Sequence, residues 1–428
     1  MAVVHPFKGF RYNKDAVGDF NRVVTQPYDK TTPSMQDAYY ERSPYNVVRI
    51  TLNLEKRGDP ETGYPDAGAV FRQWIEQKAL VQDSLPTIYA YYQEYEAEGS
   101  IRLQKGFIAL LDLKNSGSGI IPHENTLAAP KQDRLQLMRS IEGNEDLIYM
   151  LYSDDMLAIN NSLDEKISGR EPEIEVTDEY GVLHRLWAIV DPETIRGIQD
   201  AMRPQKLYIA DGHHRFETSV NFMRECERQH WQPIGVESFD KRMVACFNIT
   251  GGVTILPTHR LIRDLPAFDA ASFLRAVETH FTIETAPAAS NLWQKMKEGR
   301  DDHVFGFYPA KLGQFYLLRL NQKALADEDS RFFLDVSILH SLLLNRGLGI
   351  DANKLEAQTN VDYEREPKTC IRLVDEGTYQ AAFFLNPTTA EQVQRIASRG
   401  ELMPQKSTDF YPKLLTGLVF MKMNIKKD

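Results

Sequence analysis

Leu207-Tyr208-Ile209-Ala210-Asp211-Gly212-His213-His214-Arg215 is the stretch on which the reading of this chain turns. Its first four residues are strand formers, and beyond it Phe216, Val220 and Met223 recur at helical spacing on one face. The pattern predicts a strand, then a turn over Asp211 to Arg215, then a helix. At such a turn the first backbone N–H groups of the helix have no intrahelical partner and the helix dipole favours an anion, so phosphate or carboxylate is the natural guest. Gly212 would let the backbone approach the guest closely, Asp211 would cap the helix, Arg215 would clamp an anion bidentately, and His213 or His214 would move a proton.

Outward from this turn the pattern mixes strands and helices irregularly. A strand is expected over 45–52, a helix over 67–80 with Val70, Trp74 and Ile75 on one side, and paired strands over 87–96 and 104–113. Asn115-Ser116-Gly117-Ser118-Gly119 reads as a loop, and 131–141 as a helix that turns Leu135 and Met138 inward and leaves Lys131 and Arg134 on a shared face. Further on come a strand at 243–249, a helix at 271–279, a break at 286–289, strands near Val304 and Phe315, a helix at 334–344 and a buried strand at 381–385. This order predicts an α+β fold with mixed sheets rather than a regular doubly wound one. The expected division is an N-terminal α+β region over 1–200 and a C-terminal one over 201–428, or a single intertwined domain.

The 428 residues are 42% hydrophobic and 26% charged, an ordinary globular composition. Fifty basic against 60 acidic residues give a net charge of −10 with no compensating Lys/Arg cluster, which argues against nucleic acid and for a small-molecule partner. With no signal-like start and no apolar stretch long enough to span a bilayer, the expectation is a cytoplasmic protein without membrane contact; a homo-oligomer is compatible with the sequence. Cys226, Cys246 and Cys370 lie far apart and form no C-x-x-C pair, which argues against a zinc-thiolate site or a disulfide framework.

Three further segments carry chemistry. Pro122-His123-Glu124 precedes the helix bearing Lys131, Asp133 and Arg134. There His123 and Glu124 could work as acid and base while Lys131 and Arg134 hold phosphate, with Glu124 the best placed general base. Thr258-His259-Arg260 repeats the pairing of imidazole with guanidinium at a strand end. Gln405-Lys406-Ser407-Thr408 has a lysine and two hydroxyls suited to phosphate, but Gln405 stands where a Walker loop needs glycine and Pro404 interrupts it. Gly347-Leu348-Gly349 follows a helix rather than a strand, which rules out a dinucleotide fingerprint. Adjacent His213 and His214 do not form the i,i+4 pair of a helical zinc site; a Mg²⁺ ion bridging phosphate to Asp211 or Glu124 fits better.

These segments together resemble the family catalogued as domain of unknown function 1015. The resemblance runs through Pro27-Tyr28-Asp29, Pro44-Tyr45-Asn46-Val47, Pro122-His123-Glu124, Ile209 to Arg215, Leu256 to Arg260, Leu334-Asp335-Val336-Ser337 and Met403 to Thr408. Gln26 stands where a second proline is common in the family, and Asn125 where arginine is. The Asp-Gly-His-His-Arg motif is similar to the one in ParB-like kinases of free serine, where it lines a nucleotide phosphate site, and the family is associated with serine biosynthesis. The resemblance implies a ParB-like nucleotide-binding core and a phosphotransferase that moves a phosphoryl group between ATP or ADP, with Mg²⁺, and a hydroxylated metabolite such as serine.

On that reading Glu124, Asp211, His213 and His214 are catalytic. Gly212, Arg215, Lys131, Arg134, Lys406, Ser407 and Thr408 bind phosphate or nucleotide, and His123, His259 and Arg260 bind substrate. A metal-assisted phosphoesterase using the same residues, and a non-catalytic nucleotide-sensing module, are the alternatives.

Overall fold

The computed structural model describes residues 1–54, 64–97, 99–122, 128–321, 334–404 and 406–427. Within them the chain is a mixed α/β protein with several sheets, and it divides into two compact units. The first holds residues 1–254 together with 410–428, and the second holds 255–409. The expected boundary at residue 200 would cut a sheet: Leu207–Asp211 pairs with Ile148–Tyr152, so 201–254 belongs with what precedes it.

Among the described residues nine strands make the main sheet of the first unit. Their order is Ile120–Ile121, Leu207–Asp211, Ile148–Tyr152, Lys241–Asn248, Ser100–Asp112, Ile88–Ala97, Leu183–Ile189 and Ile174–Thr177, with Val4–His5 also paired to Ser100–Asp112. The long hairpin of Ile88–Ala97 and Ser100–Asp112 matches the expected strand pair. Alternation fills both faces with apolar side chains. Ile148, Met150 and Tyr152 enter a cluster with Phe107, Val244 and Ile209, while Tyr149 on the opposite face meets Phe247 and Phe410.

Two sheet pairings position the site. Leu207–Asp211 runs antiparallel to Ile148–Tyr152, which sets its C-terminal end beside residues 145–147. Lys241–Asn248 runs parallel to Ile148–Tyr152, with Val244 opposite Ile148, which brings Arg242 level with Asp146. The register shifts between Ile209 and Asp211, so Ala210 is an extra residue and Asp211 faces Tyr149. Such a bulge re-aims the side chain that follows it. The helix Ala128–Ile141 packs along His213–Arg228, tied by Lys131 to Glu217 at 2.8 Å and Arg139 to Glu225 at 2.7 Å.

One expected strand is not there: within 45–52 the structure has the short helix Val48–Thr51. Its β-branched run is overridden by Asn46, whose side-chain oxygen accepts from Val48 N–H at 2.9 Å and whose amide donates to Arg22 O at 2.8 Å, closing a turn.

In the second unit, among the described residues, a six-stranded antiparallel sheet runs Phe281–Ala286, Phe315–Leu320, Val304–Pro309, Ala381–Phe384, His259–Ile262 and Val361–Glu364. One face packs Ile262, Phe305, Phe307 and Phe383 against Ile338, Leu339 and Leu343; the other packs Leu261, Ala382 and Phe384 against Leu292, Met296 and Cys370. The expected helix at 334–344 is a single α-turn, Asp335–Ile338, continuing as the π-helical segment Leu339–Arg346. No described helix is long and apolar enough to cross a membrane.

Candidate functional site

Asp211 ends its strand, Gly212 follows with φ +94°, and the helix runs from His213 to Arg228. The turn is where the sequence placed it. Its first intrahelical bond is Phe216 N–H to Gly212 O at 2.9 Å, and Gly212, in the cap position, has no side chain to cap the helix. Asp211 is therefore not the expected cap: its carboxylate is held by Arg215 Nη2 at 2.7 Å and by Lys413 Nζ at 3.6 Å. Glycine at 212 is required twice over, because the left-handed backbone disfavours other residues and because a Cβ there would lie 3.0 Å from Arg215 Nε and 3.1 Å from its Cζ.

Behind the turn lies a buried ionic network. Arg215 donates to Leu147 O at 2.5 Å and stands 3.8 Å from Asp146, which Arg242 grips through a direct hydrogen bond. Arg134 is 4% exposed, donates to Asp133 at 2.8 Å and to Thr51 O at 3.1 Å, and lies 4.2 Å above the ring of Tyr28. Arg134, Glu145, Asp146, Arg215, Thr218 and Arg242 line a cavity of about 10 Å³, room for about one water.

Charge in this network is sorted by environment. Burial raises Asp211, but Lys413, then Arg215 and Lys30, outweigh it and hold the carboxyl well below its usual range. Asp146 is likewise buried and held low by Arg242 and Arg215. Glu145 goes the other way, because burial and the adjacent Asp146 push it up to about 7 against the pull of Arg242 and Arg134. Burial takes His213 down to about 4 and lowers His214 as well, so both imidazoles are neutral near pH 7. Neutral rings of such low basicity donate hydrogen bonds to an anion but make poor proton shuttles there.

Several expected roles change in consequence. Arg215 and Arg134 are not open clamps, since Asp211, Asp146 and Leu147 O occupy the first and Asp133, Tyr64 and Thr51 O the second. Each arginine organises carboxylates around the turn. Lys131 lies on the same helix as Arg134 and pairs with Glu217 of the motif helix. His123 and Glu124 lie outside the described residues.

Lys413, Glu145, Asp146 and Arg242 were missed by sequence reasoning. Glu145-Asp146 beside the apolar run 147–152 carried a readable signal, two adjacent acids leading into a buried strand. Lys413 carried none, being 202 positions from Asp211 in a segment that returns to the first unit.

In the second unit, His259 and Arg260 begin one strand and point to opposite faces. His259 packs on Phe384 with ring centroids 5.1 Å apart, whereas Arg260 lies 5.0 Å from the ring of Tyr363 and 3.4 Å from His340 Nε2. The two side chains, expected to bind substrate, thus have separate surroundings. The Lys406 carbonyl accepts from Arg260 at 3.1 Å while its side chain is exposed, and the Ser407 hydroxyl donates to Pro404 O at 2.5 Å. Thr408 is half-buried beside them.

The geometry defines a mixed α/β protein with a strand–glycine–helix turn backed by buried, charge-paired arginines. The chain belongs to the family described as protein of unknown function DUF1015, which it matches over residues 4–337. No curated protein matches the sequence.

Among solved structures it is similar to a conserved hypothetical protein from Pyrococcus furiosus at 11% identity and a TM-score of 0.34, covering 70% of this chain and 93% of that one. A free serine kinase in complex with AMP shows 11% identity and a TM-score of 0.33 over 70% of this chain and 89% of its own. SbnI with C-terminal truncation from Staphylococcus aureus shows 10% and 0.36 over 72% and 85%.

Proposed function

We propose that the protein is a small-molecule phosphotransferase that moves a phosphoryl group between a nucleotide, ATP or ADP, and a hydroxylated metabolite such as serine, with the nucleotide phosphates seated on the Asp211 turn. The observation that carries this reading is the N-terminus of the sixteen-residue helix His213–Arg228, entered through a left-handed glycine that brings no side-chain cap of its own and lies beside an ionised carboxylate. The likeness of the Asp-Gly-His-His-Arg motif to that of ParB-like serine kinases supports it.

In this reading the N–H groups of the first helical turn and the neutral His213 and His214 rings donate to phosphoryl oxygens as charge develops on them. Asp211, ionised and a quarter exposed, is suited to carry Mg²⁺ on the nucleotide. The substrate hydroxyl attacks phosphorus, its proton passes to Glu124, and the bond to the leaving nucleotide oxygen breaks. Arg215 and Lys413 keep Asp211 charged and aimed.

Calorimetry with ATP and ADP, followed by a transfer assay with serine and phosphoserine, tests the reading. The expected result is nucleotide binding by the wild type and its loss in Asp211→Asn, with Glu124→Gln binding nearly normally but turning over slowly. Absence of binding of either nucleotide at millimolar concentration would sink the proposal.

A further inference from the structure

Arg260 is a second cation with a chemistry of its own. It is 0% exposed, yet among the described residues no carboxylate pairs with it. One Nη donates to the Thr258 carbonyl, the other to the Lys406 carbonyl at 3.1 Å, and Nε has no hydrogen-bond partner. Its remaining neighbours are the Tyr363 ring and His340, whose Nε2 lies 3.4 Å from Nη2. Burial and Arg260 itself drive His340 down to about 3, so that ring contributes no negative charge, and burial draws the guanidinium down to about 10.

Carbonyls satisfy donors but do not neutralise a charge, and a buried cation without a counter-ion is among the costliest arrangements in a protein interior. The other fully buried arginine of comparable size, Arg242, has Asp146. His340 sits on the π-helical segment Leu339–Arg346, a distortion that recurs at functional sites. Thr258, His340 and Tyr363 are half-buried and Lys406 is exposed with φ +59°, so the guanidinium lies beneath a layer of partly exposed residues whose turn is strained.

We propose that Arg260 is an oxyanion-binding residue of the second unit, taking a phosphoryl or carboxylate group through its free Nε–H and the Nη2–H now given to the Lys406 carbonyl. Two parallel N–H···O bonds from one guanidinium edge are the geometry that phosphate and carboxylate share. The site rests on Arg260 alone and does not depend on the phosphotransferase reading.

Titration of inorganic phosphate and of acetate into the full-length wild type and Arg260→Gln tests this. The expected result is an anion site in the wild type whose affinity falls about 10- to 100-fold in the variant, the loss of one charge-assisted hydrogen bond pair. Phosphate that binds while acetate does not assigns the site to phosphoryl groups, and the reverse assigns it to carboxylates; either supports the proposal. Binding of neither anion, or equal binding by Arg260→Gln, overturns it.

Should Arg260→Gln fail to fold, hydrogen exchange of the wild type serves. Phosphate- or acetate-dependent protection of the 256–262 peptide supports the site, and an unchanged peptide overturns it. Failure of nucleotide binding at Asp211 leaves this outcome untouched, so the two readings fall separately.

Discussion

Replacing Gly212 by alanine isolates what the turn demands of its glycine. At φ +94° and ψ 30° a Cβ strains the backbone by about 1–2 kcal/mol, of which about 0.4–1 kcal/mol is returned because alanine leaves the unfolded chain less free. The same Cβ would stand 3.0, 3.1 and 3.2 Å from Arg215 Nε, Cζ and Nη2, too close for carbon without a shift. If the guanidinium moves off Asp211, the 2.7 Å charged hydrogen bond goes with it, a further loss of about 1.5–3 kcal/mol. The expected total is about 2–4 kcal/mol, felt by the first unit.

Because the chain has two units, a single melting curve would blur this, and native-state hydrogen exchange at the amides of His213–Arg228 is the sharper assay. Protection there should drop by that amount while amides of the second unit keep theirs. A change below about 0.5 kcal/mol, the size of an ordinary surface substitution, would refute both the strain and the close packing against Arg215.

The other predictions concern charge. Glu145, with a folded pKa of about 7 against an ordinary 4.5, keeps a proton that the unfolded chain has released. Its stabilising contribution is complete below pH 4.5 and is lost as pH rises through 7, on the order of 3 kcal/mol across that window. Glu145→Gln, neutral throughout, should flatten the stability difference between pH 5 and pH 8 in urea unfolding; an unchanged slope would show that Glu145 is ionised in the folded protein. Lys413→Met removes the largest influence holding Asp211 low, so the acid limb of any pH–activity or pH–binding profile should move upward, and an unmoved limb would mean that Asp211 is not the group titrating. Arg215→Ala should cost about 3–5 kcal/mol, more than a lost ligand contact, since it strips a partner from buried Asp146 as well as from the partly exposed Asp211; a stable variant that merely binds anions more weakly would restore the open-clamp role.

The sequence by itself determined the local grammar. The run Leu207 to Ala210, the glycine and the 3.6-residue recurrence after it fixed the strand, turn and helix, because each depends on contacts within a few residues. The runs over 87–96 and 104–113, expected as paired strands, likewise form the hairpin of Ile88–Ala97 and Ser100–Asp112. The tertiary structure alone decided who sits beside whom: the antiparallel and parallel pairings of Ile148–Tyr152 bring Asp211, Asp146 and Arg242 together, and the returning C-terminal segment adds Lys413.

That decision also turned Arg134 and Arg215 from presumed ligand clamps into internal partners of carboxylates. Whether a guanidinium faces solvent or a buried acid is set by chain packing from distant positions, and no spacing along the sequence encodes it. Arg260 shows the converse, since only the fold reveals a buried cation that no acid among the described residues meets.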